Sequence, residues 1–174
     1  AVACGLLTRW KEHGRSVSYL AVGDGAGAQA AFIGHALGLN ETAASGVPTA
    51  TDLTLPAADV VVIEVIGDAA DPAFAGVLTA VVAKTGGKAL PVVRYEQHLE
   101  AAEVLAAVQT LGVAAVGVVV NDVPARYTLP LRERLSTPLE ASGTPLLGLV
   151  PEDMALGGFS VGELADHLGA SFLS

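Results

Sequence analysis

Continuous apolar runs are what most restrict the folds open to this chain. Val17-Ser18-Tyr19-Leu20-Ala21-Val22, Val60-Val61-Val62-Ile63, Gly117-Val118-Val119-Val120 and Leu146-Leu147-Gly148-Leu149-Val150 are apolar at nearly every position rather than at alternate ones. Strands of that kind need cover on both faces. Segments with helical signals separate them, and such alternation is the pattern of βαβ units around a parallel sheet. The sequence therefore predicts an α/β fold: a three-layer parallel sheet with helices on both faces. Helices are expected at about 1–13, 27–38, 73–85, 98–111, 127–141 and 160–168, and strands at about 16–22, 59–64, 88–93, 114–120 and 145–149. Gly14, Gly38, Gly86, Gly112 and Gly143 each follow a helical run, where a residue with positive φ commonly ends the helix. Asp71-Pro72 reads as a helix start, with Asp68 in a turn. Pro130 fits a first turn, whereas Pro138 is expected to kink or split its helix. The stretch 40–58 carries no clear element and reads either as a functional loop or as a break in the native chain.

Composition narrows the setting. With 52% hydrophobic residues in 174, the chain has enough apolar material for one sizeable core, so 1–174 reads as a single domain. The longest apolar run, around 113–120, falls far short of the roughly 20 residues that span a bilayer, and no membrane segment is expected. A single cysteine, Cys4, excludes an intramolecular disulfide and fits a reducing compartment, with cytoplasm the expected location. A net charge of -9 with nine thinly spread basic residues offers no footprint for a phosphate backbone, so nucleic acid is not an expected partner. His13, His35, His98 and His167 lack metal-ligand spacing and read as surface or packing residues.

Three stretches carry chemistry. Gly23-Asp24-Gly25-Ala26-Gly27-Ala28 follows a strand and opens a helix, matching G-x-G-x-x-[GA]. The acid that should end the next strand about 20 residues later is missing: Glu64 lies too far on, and Asp52 has no evident strand before it, so a plain strand-to-helix turn is the expected role. Glu64 ends a buried apolar run, a position that suits a Mg²⁺ ligand, a turn cap or an ion-pair partner alike. Asn121 and the Val150-Pro151-Glu152 turn stand where two strands end, the edge at which open parallel sheets collect ligands. An Asn amide donates and accepts in one plane, as adenine N6/N7 recognition requires. Asn121 could equally close a turn with Asp122.

The order of Val-Ser-Tyr-Leu-Ala-Val-Gly (17–23), Ala-Ala-Phe-Ile-Gly-His-Ala-Leu-Gly-Leu (30–39), Asp-Val-Val-Val-Ile-Glu (59–64), Pro-Val-Val-Arg-Tyr-Glu (91–96), Gly-Val-Val-Val-Asn-Asp-Val-Pro (117–124), Leu-Gly-Leu-Val-Pro-Glu-Asp (147–153) and Ser-Val-Gly-Glu-Leu (160–164) resembles the dethiobiotin-synthetase-like P-loop family. The nearest branches are the domain of that type at the N-terminus of some phosphotransacetylases and proteins similar to cobyrinic acid a,c-diamide synthase. The resemblance implies a P-loop NTPase-like sheet. It also implies an ATP site in which Asn121 meets the adenine edge, Val150, Pro151 and Glu152 line the base through backbone atoms, and Glu64 approaches Mg²⁺ or the γ-phosphate. A homodimer is a further implied partner.

Departures from the family pattern shape the functional expectation. The chain contains no G-x-x-x-x-G-K-[ST], the loop that cradles phosphates. In the family that loop and its central strand precede the first helix, and a sheet without them would leave buried backbone groups unpaired, so residues 1–174 are expected to lack a first strand and P-loop that lie upstream of Ala1 in the native protein. Ala21-Val22 stands where the active synthetases resemble a pattern with Lys, and Glu64-Val65 where they carry Glu-Gly. The expected function is thus a nucleotide-binding domain that is regulatory or catalytically degenerate. The alternatives are an ATP-dependent carboxylate-activating ligase and a structural interaction domain without nucleotide.

Overall fold

The computed structural model describes residues 2–40, 43–67 and 71–152, and the helix expected at 160–168 lies outside them. Along the chain run α1 (Val2–Glu12), β1 (Val17–Val22), α2 (Ala26–Leu37), β2 (Ala44–Val47), a 3₁₀ turn (Ala50–Asp52), β3 (Val60–Val65) and α3 (Pro72–Thr85). There follow β4 (Val92–Arg94), α4 (Ala101–Thr110), β5 (Val118–Val123), a second 3₁₀ turn (Ala125–Tyr127), α5 (Thr128–Ala141) and β6 (Leu146–Pro151). The α/β reading holds. All strand pairs are parallel, but they form two three-stranded sheets, β2-β1-β3 and β4-β5-β6, rather than the single sheet expected.

β1 is the spine of the first sheet and is buried along its whole length. Its alternating side chains feed two separate cores. Val17, Tyr19 and Ala21 pack with Leu7 of α1 and Ala26, Ala30 and Ile33 of α2, while Leu20 and Val22 pack with Ala50, Leu53 and Val81 of α3. This half is three-layered, as its continuous apolar strands require. β2 lies in the stretch 40–58 that carried no expected element. Only Val47 of Ala44-Ser45-Gly46-Val47 is β-branched, so propensity does not mark it. Its place depends on Gly46, where a Cβ would collide with the backbone of Ala26 and Gly27 at the start of α2.

In the second sheet, α4 and α5 share one core with the strands, built on Val104, Val108, Val118, Val120, Val123, Leu131, Leu135 and Leu139. Val92 and Leu147 are half exposed, so that cover is less complete than in the first sheet. The expected strand at 114–120 instead runs 118–123, preceded by one isolated bridge, Ala89 to Ala115. β4 is likewise shorter and later than expected. Pro138 does not split α5, which continues to Ala141. Leu131, Leu135 and Leu139 recur every fourth residue and are all buried, anchoring the helix on both sides of the proline. Pro130 sits in the first turn, Asp71 caps α3 by accepting from the Ala73 N–H, and all five glycines expected after helices have positive φ.

Among the described strands, β3 pairs only with β1 and β4 only with β5. Among the described residues, no hydrophobic cluster joins residues of both sheets. The start of β1 is instead clasped to β3 within its own sheet: the Ser16 N–H and hydroxyl both donate to Asp59 Oδ2 at 2.8 Å, and the Asp59 N–H returns a bond to Ser16 Oγ. The Ser16 backbone bond first, and its hydroxyl second, hold the Asp59 carboxyl below its ordinary range.

Two outcomes follow from this packing. Leu135→Ala should cost about 2–5 kcal/mol, with amide exchange quickening in β5 and α5 while β1 keeps its protection; equal loss in β1 would show one cooperative core. Because the folded-state pKa of Asp59 is depressed, its stabilising effect is present above the ordinary carboxylate pKa and lost as pH falls through the lowered value. An acid titration of stability should therefore lose that component in Asp59→Asn.

Candidate functional site

The carboxyl end of the second sheet gathers most of the unusual chemistry of the molecule. The β4–β5 ladder is regular from Val92↔Val119 to Arg94↔Asn121, whereas β5–β6 pairing is interrupted between Val120 and Val123. A bulge at Asn121-Asp122 absorbs the mismatch. Asp122 takes φ 60, in the left-handed region that Asp tolerates better than most residues. Pairing resumes at Val123↔Pro151, where the Glu152 N–H donates to the Val123 carbonyl at 2.9 Å. Asn121 and the Val150-Pro151-Glu152 turn, singled out in sequence as separate strand ends, therefore lie on neighbouring strands at one edge.

Asn121 is held by its backbone, its carbonyl accepting from the Tyr95 N–H at 2.8 Å. Its side-chain Oδ1 is shielded from solvent and has no hydrogen-bond partner among the described residues. A buried acceptor left in that state is costly, and each such atom calls for an explanation. The Asx turn considered for Asn121 and Asp122 does not use this oxygen. Instead, Asp122 pairs with Arg94 (Nε to Oδ2, 3.3 Å), an exposed contact on the adjoining strand. Next to the bulge, Tyr95 and Tyr127 stack with centroids 5.9 Å apart, and the Arg126 guanidinium lies 4.8 Å above the Tyr127 ring. Tyr127, as hydrogen-bond acceptor and then as a polar neighbour, raises the Arg126 pKa above its ordinary value, with Tyr95 and Glu152 adding to the effect. Sequence reasoning passed over Arg94, Tyr95, Arg126 and Tyr127. The dipeptide Arg126-Tyr127, directly after the Asn121–Pro124 signature, was the available signal.

Glu64 belongs to the other sheet, at the register position facing Ala21. Its Oε2 accepts from the buried Tyr19 hydroxyl and, at 3.3 Å, from Gln29 Nε2. Burial first, then the Glu64 carboxylate, pushes the Tyr19 pKa far above that of an ordinary phenol, so Tyr19 remains a neutral donor. Among the described residues no group of three or more His, Cys, Asp or Glu could hold a metal ion. Mg²⁺ commonly uses only one or two carboxylates together with phosphate oxygens, so Glu64 fits such an ion as a single oriented ligand.

The Gly23-Asp24-Gly25 turn does join β1 to α2, but Gly23 has an internal explanation. It adopts φ 115, and a Cβ there would strike the Ile66 carbonyl. The two positions that depart from the synthetase pattern are also structural: Ala21 is fully buried beneath α1 and α2, and Val65 packs toward the core containing Leu20 and Val81. Asp52, rejected as a ribose acid for want of a strand before it, in fact follows β2, but Thr49 Oγ1 donates to it within the 3₁₀ turn at 2.7 Å. No helix among the described residues is long and apolar enough to cross a membrane.

No protein-family model matches the chain, and no curated protein matches its sequence. If the Asn121 amide is held for a ligand, its unpaired oxygen is a liability in the free protein. Asn121→Leu, which removes the orphaned acceptor at similar volume, should raise stability toward chemical denaturation by about 1 kcal/mol; a loss of similar size would show that Oδ1 has a stabilising partner.

Proposed function

We propose that the chain is a nucleotide-binding domain whose base-reading element is the β5–β6 edge, with ATP as the nucleotide. The observation that carries this reading is the buried, unpartnered Asn121 Oδ1 at a bulge between parallel strands. In this role Oδ1 accepts from the adenine N6 amino group and the amide nitrogen donates to N7, a pairing the planar side chain makes in one step. Backbone groups of Val150, Pro151 and Glu152 flank the base. The Glu152 N–H is already committed to Val123, so this turn supplies shape more than donors. Arg126 adds positive charge at the same edge.

Mg²⁺, when bound with the nucleotide, would offset the charge of its phosphates. Glu64 is the residue assigned to it, with Tyr19 and Gln29 fixing the direction of the carboxylate. Binding is the proposed activity, and phosphoryl transfer is not. The strand-end positions at Ala21 and Val65 are occupied by packed apolar side chains. A regulatory or catalytically degenerate member of the dethiobiotin-synthetase-like family is the reading these features support, in the reducing cytoplasm that a single free cysteine suits. The half-exposed Val92 and Leu147 of the second sheet are the surface through which a homodimer would form.

Thermal denaturation with ATP and Mg²⁺ tests the proposal. Ligand at ~100 times its Kd should raise the midpoint by about 5 °C, and Asn121→Ala should abolish most of that rise without changing the response to inorganic triphosphate. An unchanged midpoint for the parent protein would count against nucleotide binding and in favour of an interaction domain.

A further inference from the structure

A cleft opens on the helical side of the second sheet, between the Tyr95–Tyr127 stack and the first turns of α5. Tyr95, His98, Tyr127, Pro130, Leu131 and Arg134 line it. It is separate from the Asn121 amide. Tyr95 and Tyr127 pack against the core formed with α4 and α5, as do Val118 and Val120, and strand alternation sends Asn121 to the opposite face of β5. Its volume is about 90 Å³, well below that of sites for drug-sized ligands, so it suits a single ring rather than a nucleoside.

The chemistry of the walls is specific. Two aromatic faces and two aliphatic residues offer a flat apolar slot. Arg134 lies at its border, and its Nη1 meets Glu100 Oε1 at 3.5 Å in an exposed pair. Such pairs contribute little and exchange partners readily. His98 is one of only two non-glycine residues with positive φ among those described, at φ 71. Backbone held in that region persists where the surroundings fix it, and ligand clamps are a common place for it.

We infer that the Tyr95–Tyr127 cleft is a binding site for a small aromatic carboxylate, whose ring lies against the tyrosines and whose carboxylate takes Arg134 from Glu100. A guanidinium fork matches a carboxylate in a way it cannot match a neutral amide. This site is independent of the nucleotide reading.

Isothermal titration of the whole chain with 4-hydroxybenzoate and with its neutral amide tests the assignment. The acid should bind saturably and about tenfold more tightly than the amide, the size expected for one charge-assisted contact. Arg134→Gln should remove that preference. Glu100→Gln, which frees Arg134, should tighten the acid several-fold, a gain that misfolding cannot mimic. Saturating ATP should leave the acid's affinity unchanged. Absence of saturable binding, equal affinity for acid and amide, weakening by Glu100→Gln, or competition by ATP would each overturn the inference.

Discussion

β5 is paired on both sides and buried through Val120, and it then has to leave its sheet beside β6 with one residue too many, two of its residues facing one of β6. Parallel pairing is demanding in this respect, because every backbone group along a covered strand must find a partner. The mismatch is taken up by Asn121 and Asp122, one with an unpaired amide oxygen and the other in a left-handed conformation. Those two local costs are what create the edge. Without the bulge, Val123 would not meet Pro151, and the Val150–Glu152 turn would not stand next to Asn121.

The division into two sheets gives that edge a particular mechanical setting. Asn121 and Tyr95 are joined by a backbone bond at the edge of one sheet, whereas Glu64, Tyr19 and Gln29 are bonded to one another beside the other. Nucleotide bound through both groups would connect halves that share no hydrophobic cluster among the described residues. A ligand held by groups of both halves would add coupling between them.

Much of the scaffold could be read from residues alone, for reasons that differ by element. Helix ends were legible because Gly38 or Asp71-Pro72 signals a local backbone requirement that tertiary contacts do not override. β2 was not, because its placement depends on the missing side chain of Gly46 against α2, a contact between segments distant in fold logic rather than a propensity. The continuity of α5 through Pro138 was hidden for a similar reason: the buried leucines on either side outweigh a lost backbone bond. At the site, the strand-end position of Asn121 was legible in the sequence, but the bulge, the tyrosine stack and the Arg94–Asp122 contact arise from register between strands, which no single strand encodes. Glu64 was recognisable as a carboxylate ending an apolar run. Its partners Tyr19 and Gln29 come from β1 and α2, so their convergence appears only in three dimensions.

Side-chain amide resonances of Asn121, followed by NMR as ATP and Mg²⁺ are added, probe the central claim at its own atoms. The account predicts saturable shifts of that amide together with the backbone amides of Asp122 and Glu152 and, through Mg²⁺, of Glu64. Perturbation spread evenly over the surface, or an Asn121 amide that does not move, would contradict it.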